Sequence, residues 1–442
     1  MNSKKTNQDY KHEEFLFKKL EKIPKDWEIQ KLIDFCKAKP QYGSNVAAIK
    51  KSSNLPRYLR ITDVDEDGKL KNNKWVSISE DDSKDYLLHD NDFLFARTGA
   101  TVGKTFVYKK EYGRCAYATS LIKFVIDEKK LNVNYLLHYA HSSYYYRWLC
   151  TFVNMANREV INARTFSQMP IIIPKRIQEQ EKIENILLYI DRLIQQTYDI
   201  IKQTTLLKNG IVSKLQTRGI RKDVEFKKIN LNRHVEITIP KKWTIKTLSD
   251  ISLSGTQSGY AISDNDYGSG IPIVGMTSLF KNNVLDSTNL KEVSLSKEVV
   301  KKFYLKEGDL LFGRRSLTIE GAGKCILVTK LSKPTIFESS VIRLSLNRDV
   351  IPNYIHIFLT SDLGKKLIHR IKQIVAVSGI KSSDLKKIKI PLPEIDEQKE
   401  ILYKLSYFQT KIQLLGEYNS KLKTIKNGLI EQLFTGQVRV KV

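Results

Sequence analysis

At 442 residues the chain is too long for one ordinary core, and about 100 to 200 residues per domain gives two or three domains. A hydrophobic content of 41%, with 21 Tyr and 17 Phe, excludes a disordered chain. The 74 Lys and Arg against 48 Asp and Glu leave +26, a self-repelling excess that nucleic acid would offset and that a lysine-rich proteome would also produce.

In chain order, residues 1–22 read as an N-terminal extension. They carry no apolar signal core, and no later run approaches the roughly 18 apolar residues of a membrane span, so a cytoplasmic protein is expected. Residues 23–177 read as a first domain, opening on IPKDWEIQKL from Ile23. DFLFAR from Asp92, FVYKK from Phe106 and SLIKFVI from Ser120 are short apolar runs of the buried-strand type. Asn134 to Val153 has apolar residues at three and four spacings and reads as a helix. IIIPKRIQEQEKI from Ile171 holds Pro174, whose fixed φ and missing N–H suit an extended exit strand, with a helix starting after it. That helix covers 178–217, and a linker covers 218–238.

The second domain, 239–395, repeats the first in order. IPKKWTIKTL from Ile239 answers the opening, so Ile23, Pro24, Trp27, Ile29 and Leu32 match Ile239, Pro240, Trp243, Ile245 and Leu248. DLLFGR from Asp309 answers DFLFAR, AGK from Ala322 answers VGK from Val102, and SVIRL from Ser340 answers SLIKF. CILVTK and SVIRLSL read as strands and Asn353 to Ile374 as a helix. Pro391 and Pro393 mark a second exit strand before a helix over 396–436 and a tail over 437–442. Gly68 to Ser83 and Asp286 to Val300 share little, so the framework repeats while loops differ.

The first helix places Ile183, Leu187, Ile190, Ile194, Thr197, Ile201, Thr204, Lys208, Ile211 and Leu215 at alternating intervals of four and three, a coiled-coil seam. The second holds the same seam in phase as Ile401, Leu405, Phe408, Ile412, Leu415, Asn419, Leu422, Lys426, Leu429 and Leu433. Two equivalent units favour an antiparallel pair, with Asn419 expected to fix register. Rods of about 57 Å would space the domains like a ruler. The rival is that each helix caps its own domain or binds another chain. The fold class is therefore α+β: two pseudo-symmetric mixed α/β domains separated by two long helices forming an antiparallel coiled coil.

Motifs for chemistry are few. TGATVGKT from Thr98 mimics a phosphate-binding loop, but Gly99 and Gly103 bracket three residues where four are needed, and a strand-like TFVYKK follows. A structural turn, touching DNA phosphates at most, fits better. His138 and His141 lack a third metal ligand and read as exposed or core histidines. Cys36, Cys115, Cys150 and Cys325 form no CxxC pair and read as buried reduced thiols. The EQK run from Glu397 to Lys399, which resembles part of a nuclease motif, reads as a solvated helix face. No Asn or Asp precedes a Pro-Pro-aromatic sequence that would hold a flipped base. No catalytic, cofactor-binding or metal-binding residue is expected. DNA-binding candidates are Arg57, Arg60, Arg97, Lys104, Arg158 and Arg164 in the first unit and Lys281, Arg314, Arg315, Lys324 and Lys381 in the second. For each the alternative is a solvated charge or an internal ion pair, such as Arg97 with Asp92.

The doubled DxLFxR and VGK-like segments, PLPE-type exit, EQ-started coil and KNGLIEQLFTG ending resemble the specificity subunit of type I restriction-modification systems over nearly the whole chain. The resemblance implies two target-recognition domains reading the halves of a split, asymmetric double-stranded DNA site. It implies spacer helices that bind two methyltransferase subunits and, through them, restriction subunits. Catalysis, with S-adenosylmethionine, ATP and Mg, would belong to those partners. The copies depart at Thr98 and Gly99, which face Arg315 and Ser316, leaving any shared phosphate contact there in question. Two alternatives stand beside this reading: a DNA-modifying enzyme with an unrecognised site, and a basic coiled-coil scaffold binding any DNA.

Overall fold

A computed structural model describes residues 23–441 apart from 65–67, 69, 72–74, 154–159, 264–265, 282–283, 286–289 and 374–376. The chain divides into two compact units, one running to Tyr198 and resuming at Glu417, the other Asp199–Gly416.

In the first unit, β1 (Trp27–Lys31) pairs antiparallel with β9 (Pro170–Pro174), joining the domain's entrance to its proline-marked exit. Between them, β2 (Gln41–Tyr42), β8 (Leu121–Phe124), β5 (Phe93–Ala96) and β6 (Thr105–Val107) form one sheet in that order. A second sheet sets β3 (Arg57–Leu59) between β4 (Val76–Ser77) and a parallel β7 (Cys115–Tyr117). All four residues of β5 are buried, as an apolar run flanked by sheet on both edges requires. The stretch expected as one helix is two, α1 (Val133–Tyr139) and α2 (Ser143–Val153), with Asn132 capping the first. Helix α3 (Ala163–Ser167) precedes β9.

The second unit repeats this plan. β12 (Thr244–Thr247) pairs with β23 (Lys389–Leu392). β13 (Ser252–Ser258), β20 (Val341–Leu346), β16 (Leu310–Gly313) and β18 (Cys325–Leu327) follow the order of the first four-stranded sheet. β14 (Tyr267–Val274) lies between β15 (Lys291–Val293) and a parallel β19 (Ile336–Phe337). Helix α7 (Pro352–Thr360) again breaks before α8 (Asp362–Arg370). The break is built in: Ser361 caps α8 by accepting from the Gly364 N–H at 3.2 Å, and a Cβ at Gly364 would lie 2.1 Å from the Phe358 carbonyl oxygen. The remaining helices here are α5 (Met276–Lys281), α6 (Lys297–Phe303) and α9 (Ser382–Lys386). The segment expected as a plain linker folds in part into a hairpin of β10 (Phe226–Asn232) and β11 (Val235–Pro240), with no counterpart among the described residues of the first unit.

Two long helices complete the plan, α4 (Ile177–Arg218, 42 residues) and α10 (Ile395–Phe434, 40 residues). Each starts in the unit of its own domain and ends in the other unit. In the first unit, Lys182 reaches the Lys441 carbonyl and Asp191 meets Lys426 at 2.6 Å, so numbers rise on one helix as they fall on the other. In the second, Lys208 donates to Gln409 at 2.5 Å and the Ile220 N–H to Glu397 at 3.3 Å, the same antiparallel sense. Every seam residue from Ile183 to Leu215 and from Ile401 to Leu433 is buried or half-buried. Asn419, expected to fix register, is half-buried in the seam with its side-chain oxygen lacking a hydrogen-bond partner. Lys426 and Lys208 make polar contacts across the seam, with Asp191 and Gln409.

The ends of the helices enter the cores. Ile430, Leu433 and Phe434 join the first domain's cluster, with Phe434 edge-on to Tyr135 and Tyr139, and Val212 joins the second domain's. The repeated tryptophan and EQ pair fasten each junction. Trp27 Nε1 donates to Glu179 at 3.3 Å and Trp243 Nε1 to Glu397 at 3.0 Å. Gln180 accepts from the Asn132 N–H and Gln398 from the Ile351 N–H, both at 2.9 Å. The expectation of a solvated face at Glu397–Lys399 is thereby corrected: Gln398 is 0% exposed and Glu397 half-buried, and only Lys399 faces solvent.

Candidate nucleic-acid interface

Each domain carries an arginine where its central buried strand ends, held by the same three backbone contacts. The Arg97 N–H donates to the Ser120 carbonyl at 2.9 Å, the Arg97 carbonyl accepts from Ile161, and Gly103 N donates back to Ala96 O. In the second domain Arg314 donates to Ser340 at 2.7 Å, accepts from Ile380, and Gly323 N donates to Gly313 O. Beside each, a glycine lets the chain press against the parallel strand. A Cβ on Gly43 would sit 2.4 Å from the Tyr117 and Ala118 carbonyl oxygens, and one on Gly259 2.3 Å from those of Phe337 and Glu338.

Side chains gather differently on this frame. In the first domain the Arg97 guanidinium lies 4.7 Å from the centre of the Tyr42 ring, not on Asp92. Asp92 instead faces Lys123 at 3.8 Å and accepts from the His89 N–H. The Tyr42 hydroxyl accepts from the Ala163 N–H at 2.9 Å, the first residue of α3, so exposed Arg164 belongs to the same edge. Lys104 joins it, since its carbonyl accepts from Ala96 N across the turn. That turn is structural: the Gly103 N–H is spent on Ala96, and a Cβ there would lie 2.3 Å from Leu149.

In the second domain Arg314 Nη1 reaches the Ser339 carbonyl at 3.4 Å. Arg315 is exposed in β17 (Arg315–Ser316), paired with Gly379 of β22 (Ser378–Ile380), which β21 (Lys372–Gln373) flanks on its other edge, and exposed Lys381 follows β22. The turn to Lys324 is longer than its counterpart and is stiffened by Thr318 N to Ser316 Oγ at 3.1 Å and Gly321 N to Thr318 O at 3.2 Å. Leu317 at its tip is 89% exposed. Lys324 stands 5.6 Å from the centre of the Phe280 ring.

Arg97, Lys104 and Arg164 therefore share one edge, and Arg314, Arg315, Lys324 and Lys381 another. Two candidates lie elsewhere. Arg57 is buried in β3, donating to the Lys71 carbonyl at 2.5 Å, and burial lowers its pKa. Arg60 is gripped by Asp63 through two side-chain bonds of 3.0 and 3.2 Å, which raise its pKa. Both read as framework. Arg158 and the side chain of Lys281 lie outside the described residues. Charge patterning missed Tyr42 and Leu317, neutral residues whose importance comes only from position.

His138 is buried and neutral, its pKa pushed down to about 3 by burial and then by the Lys426 charge. Asp191, 3.8 Å from its ring, is already bound to Lys426. Burial pushes the Cys36 and Cys115 thiols up to about 12, whereas Cys150 is exposed, contrary to the expectation that all four are buried. No helix among the described residues is long and apolar enough to cross a membrane.

Comparison with known proteins agrees with this doubled plan. The model of the type I restriction modification DNA specificity domain matches twice, over residues 24–205 and 240–424. The MjaVIII specificity subunit of Methanocaldococcus jannaschii is 24% identical over 445 residues, covering 98% of both chains. The EcoKI specificity subunit of Escherichia coli is 24% identical over 324 residues, covering 70% of this chain and 67% of its own. A chain from a structural study of complex assembly in the type I R-M system superposes with a TM-score of 0.60 at 15% identity, covering 94% of this chain and all of that one. The S subunit from M. genitalium gives 0.51 at 14% identity, covering 94% and 97%. The chain belongs to the family of type I restriction-modification specificity subunits, which recognise DNA sequence, and carries two copies of the family's domain.

Proposed function

We propose that this chain reads a bipartite, asymmetric duplex site, one half per domain, and directs methyltransferase and restriction subunits to it. The observation carrying the reading is the pair of arginine-centred edges, alike in backbone bonds and in the lysine that ends each turn, and unlike in the other side chains around them. Arginine forks and apolar tips are what base edges and thymine methyl groups select, and lysines beside them neutralise phosphates. Two different edges on one frame suit two different half-sites.

Two methyltransferase subunits dock on the long helices. Their outward faces expose Tyr189 and Leu206 on α4 and Tyr403 (79% exposed), Tyr407 and Leu414 on α10, more apolar surface than a solvent-facing coil needs. Restriction subunits join through them. The chain itself supplies no catalysis, and S-adenosylmethionine, ATP and Mg bind the partners.

The test is competition. With the site taken from methylome sequencing of cells carrying the gene and its partners, the assembled complex should prefer matched over scrambled duplex by about a thousandfold or more. Equal affinity for both, falling steeply with salt, marks a sequence-blind scaffold. Conversion of labelled DNA by this chain alone marks an enzyme.

A further inference from the structure

The second unit holds an open groove of about 1380 Å³ that meets the arginine edge only at Lys324 and is lined by no seam residue. Its walls are the β10–β11 hairpin, the Glu320–Cys325 stretch and the last turns of α4 at Ser213 and Thr217; one side is α8. Helix α8 buries Leu367 and Ile368 and turns Lys365, Lys366, His369 and Arg370 outward. None of Lys365, Lys366 and Arg370 meets a carboxylate at ion-pair distance among the described residues, although Glu236, Glu320 and Asp362 also line the groove. Lys372, donating to the Ile319 carbonyl at 2.7 Å, connects the groove to the recognition turn, as does Lys324.

Among the described residues, the helix in the corresponding place of the first unit, α2, presents no such row of cations. That helix packs on Gly103 through Leu149 as α8 packs on Gly323 through Ile368. There the exposed positions hold Tyr146, Arg147 and Cys150, and Arg147 is occupied by the Ser143 carbonyl and hydroxyl at 3.2 and 3.0 Å. A row of unpaired cations, placed on one domain and continuous with its recognition turn, demands a polyanion that runs past that turn. An uncompensated row of this kind costs self-repulsion in the free protein and is repaid when phosphates displace their counterions onto it.

We infer that the groove between α8 and the β10–β11 hairpin carries the phosphate backbone of duplex DNA beyond the bases read by the second domain, so that phosphate contacts are more extensive on one half of the site. The inference rests on the DNA-reading role proposed above and adds an asymmetry to it.

The experiment uses the full chain in its assembled complex, with Lys365, Lys366 and Arg370 changed together to Ala and, separately, to Gln, and thermal melting to verify the fold. On a duplex of arbitrary sequence, the slope of log affinity against log salt should become shallower by about 2 to 3 in either variant. On the matched duplex, ethylation interference should lose contacts on one half only, while the methylated sequence stays the same. Unchanged slope and footprint overturn the inference, as does a loss spread over both halves. Unchanged DNA contacts with loss of co-purifying methyltransferase subunits would make the groove a protein-docking surface and also overturn it. If the wild type fails to distinguish matched from scrambled duplex, the site-reading role falls, while the slope on arbitrary DNA still reports on the groove.

Discussion

At the edge of the first domain, Arg97 rests on Tyr42 above a short turn closed by Gly103. At the edge of the second, Arg314 reaches a backbone carbonyl, Arg315 and Lys381 stand free beside it, and a longer turn lifts Leu317 into solvent. Up to the arginine, and again where a glycine and a lysine bring the chain back, the two backbones make the same hydrogen bonds; the turn residues between share neither length nor side chains. The division shows where recognition can diverge without cost. The strands that bear the arginine are buried on both faces and cannot change, whereas the turn after it touches little and can change length, charge and apolarity.

Substitutions that strike the shared frame should act most strongly. Gly43→Val and Gly259→Val each force a side chain into carbonyl oxygens that lie 2.4 and 2.3 Å from the new Cβ. Each should lower stability by about 3 kcal/mol, the top of the overpacking range, seen as an earlier thermal transition. A variant melting with the wild type would show that the strand contact is not the hinge of the frame.

The seam contacts differ in kind and should differ in worth. Lys426 pairs with a carboxylate, Asp191, at 2.6 Å, while Lys208 meets only the neutral Gln409 and has its pKa lowered by burial. Lys426→Met should cost about 1 to 3 kcal/mol, less than a fully buried pair because both partners keep some solvent. Lys208→Met should cost no more than about 1 kcal/mol. Equal losses in denaturant titrations would remove the distinction.

At neutral pH the smallest effect is a pH dependence confined to the first unit, which emerges only on acidification. His138 has a folded pKa of about 3, below its ordinary value of about 6.5 when unfolded. The unfolded chain therefore binds its proton first, so this stabilisation is complete above about pH 6.5 and declines as pH falls toward 3. His138→Gln should flatten that part of the stability profile. An identical acid limb in the variant would assign the loss to other groups.

Much of this frame was legible because it obeys strong periodic rules. The seam's three and four spacing and the apolar runs of DFLFAR and DLLFGR survive in the structure, since burial on a helix face or between strands leaves few other residue choices. The β10–β11 hairpin was not legible, because FKKINLN alternates too weakly to stand apart from a loop. Arg57 and Arg60 were misplaced because sequence shows charge but not the Lys71 carbonyl or Asp63 that absorbs it. Glu397 and Gln398 read as surface for the same reason: a polar residue buried by a tryptophan or a backbone N–H is invisible until the fold brings them together.

One half-site per domain requires above all that the two edges act independently. Arg97→Ala and Arg314→Ala should be introduced separately, and the methylated sequence read from the genomes of cells carrying each variant with its partner subunits. Each substitution should relax one half of the site, a different half in each case, by about 1 to 3 kcal/mol of discrimination. Relaxation of the same half by both, or weakened modification with an unchanged sequence in both, would contradict the reading of one half-site per domain.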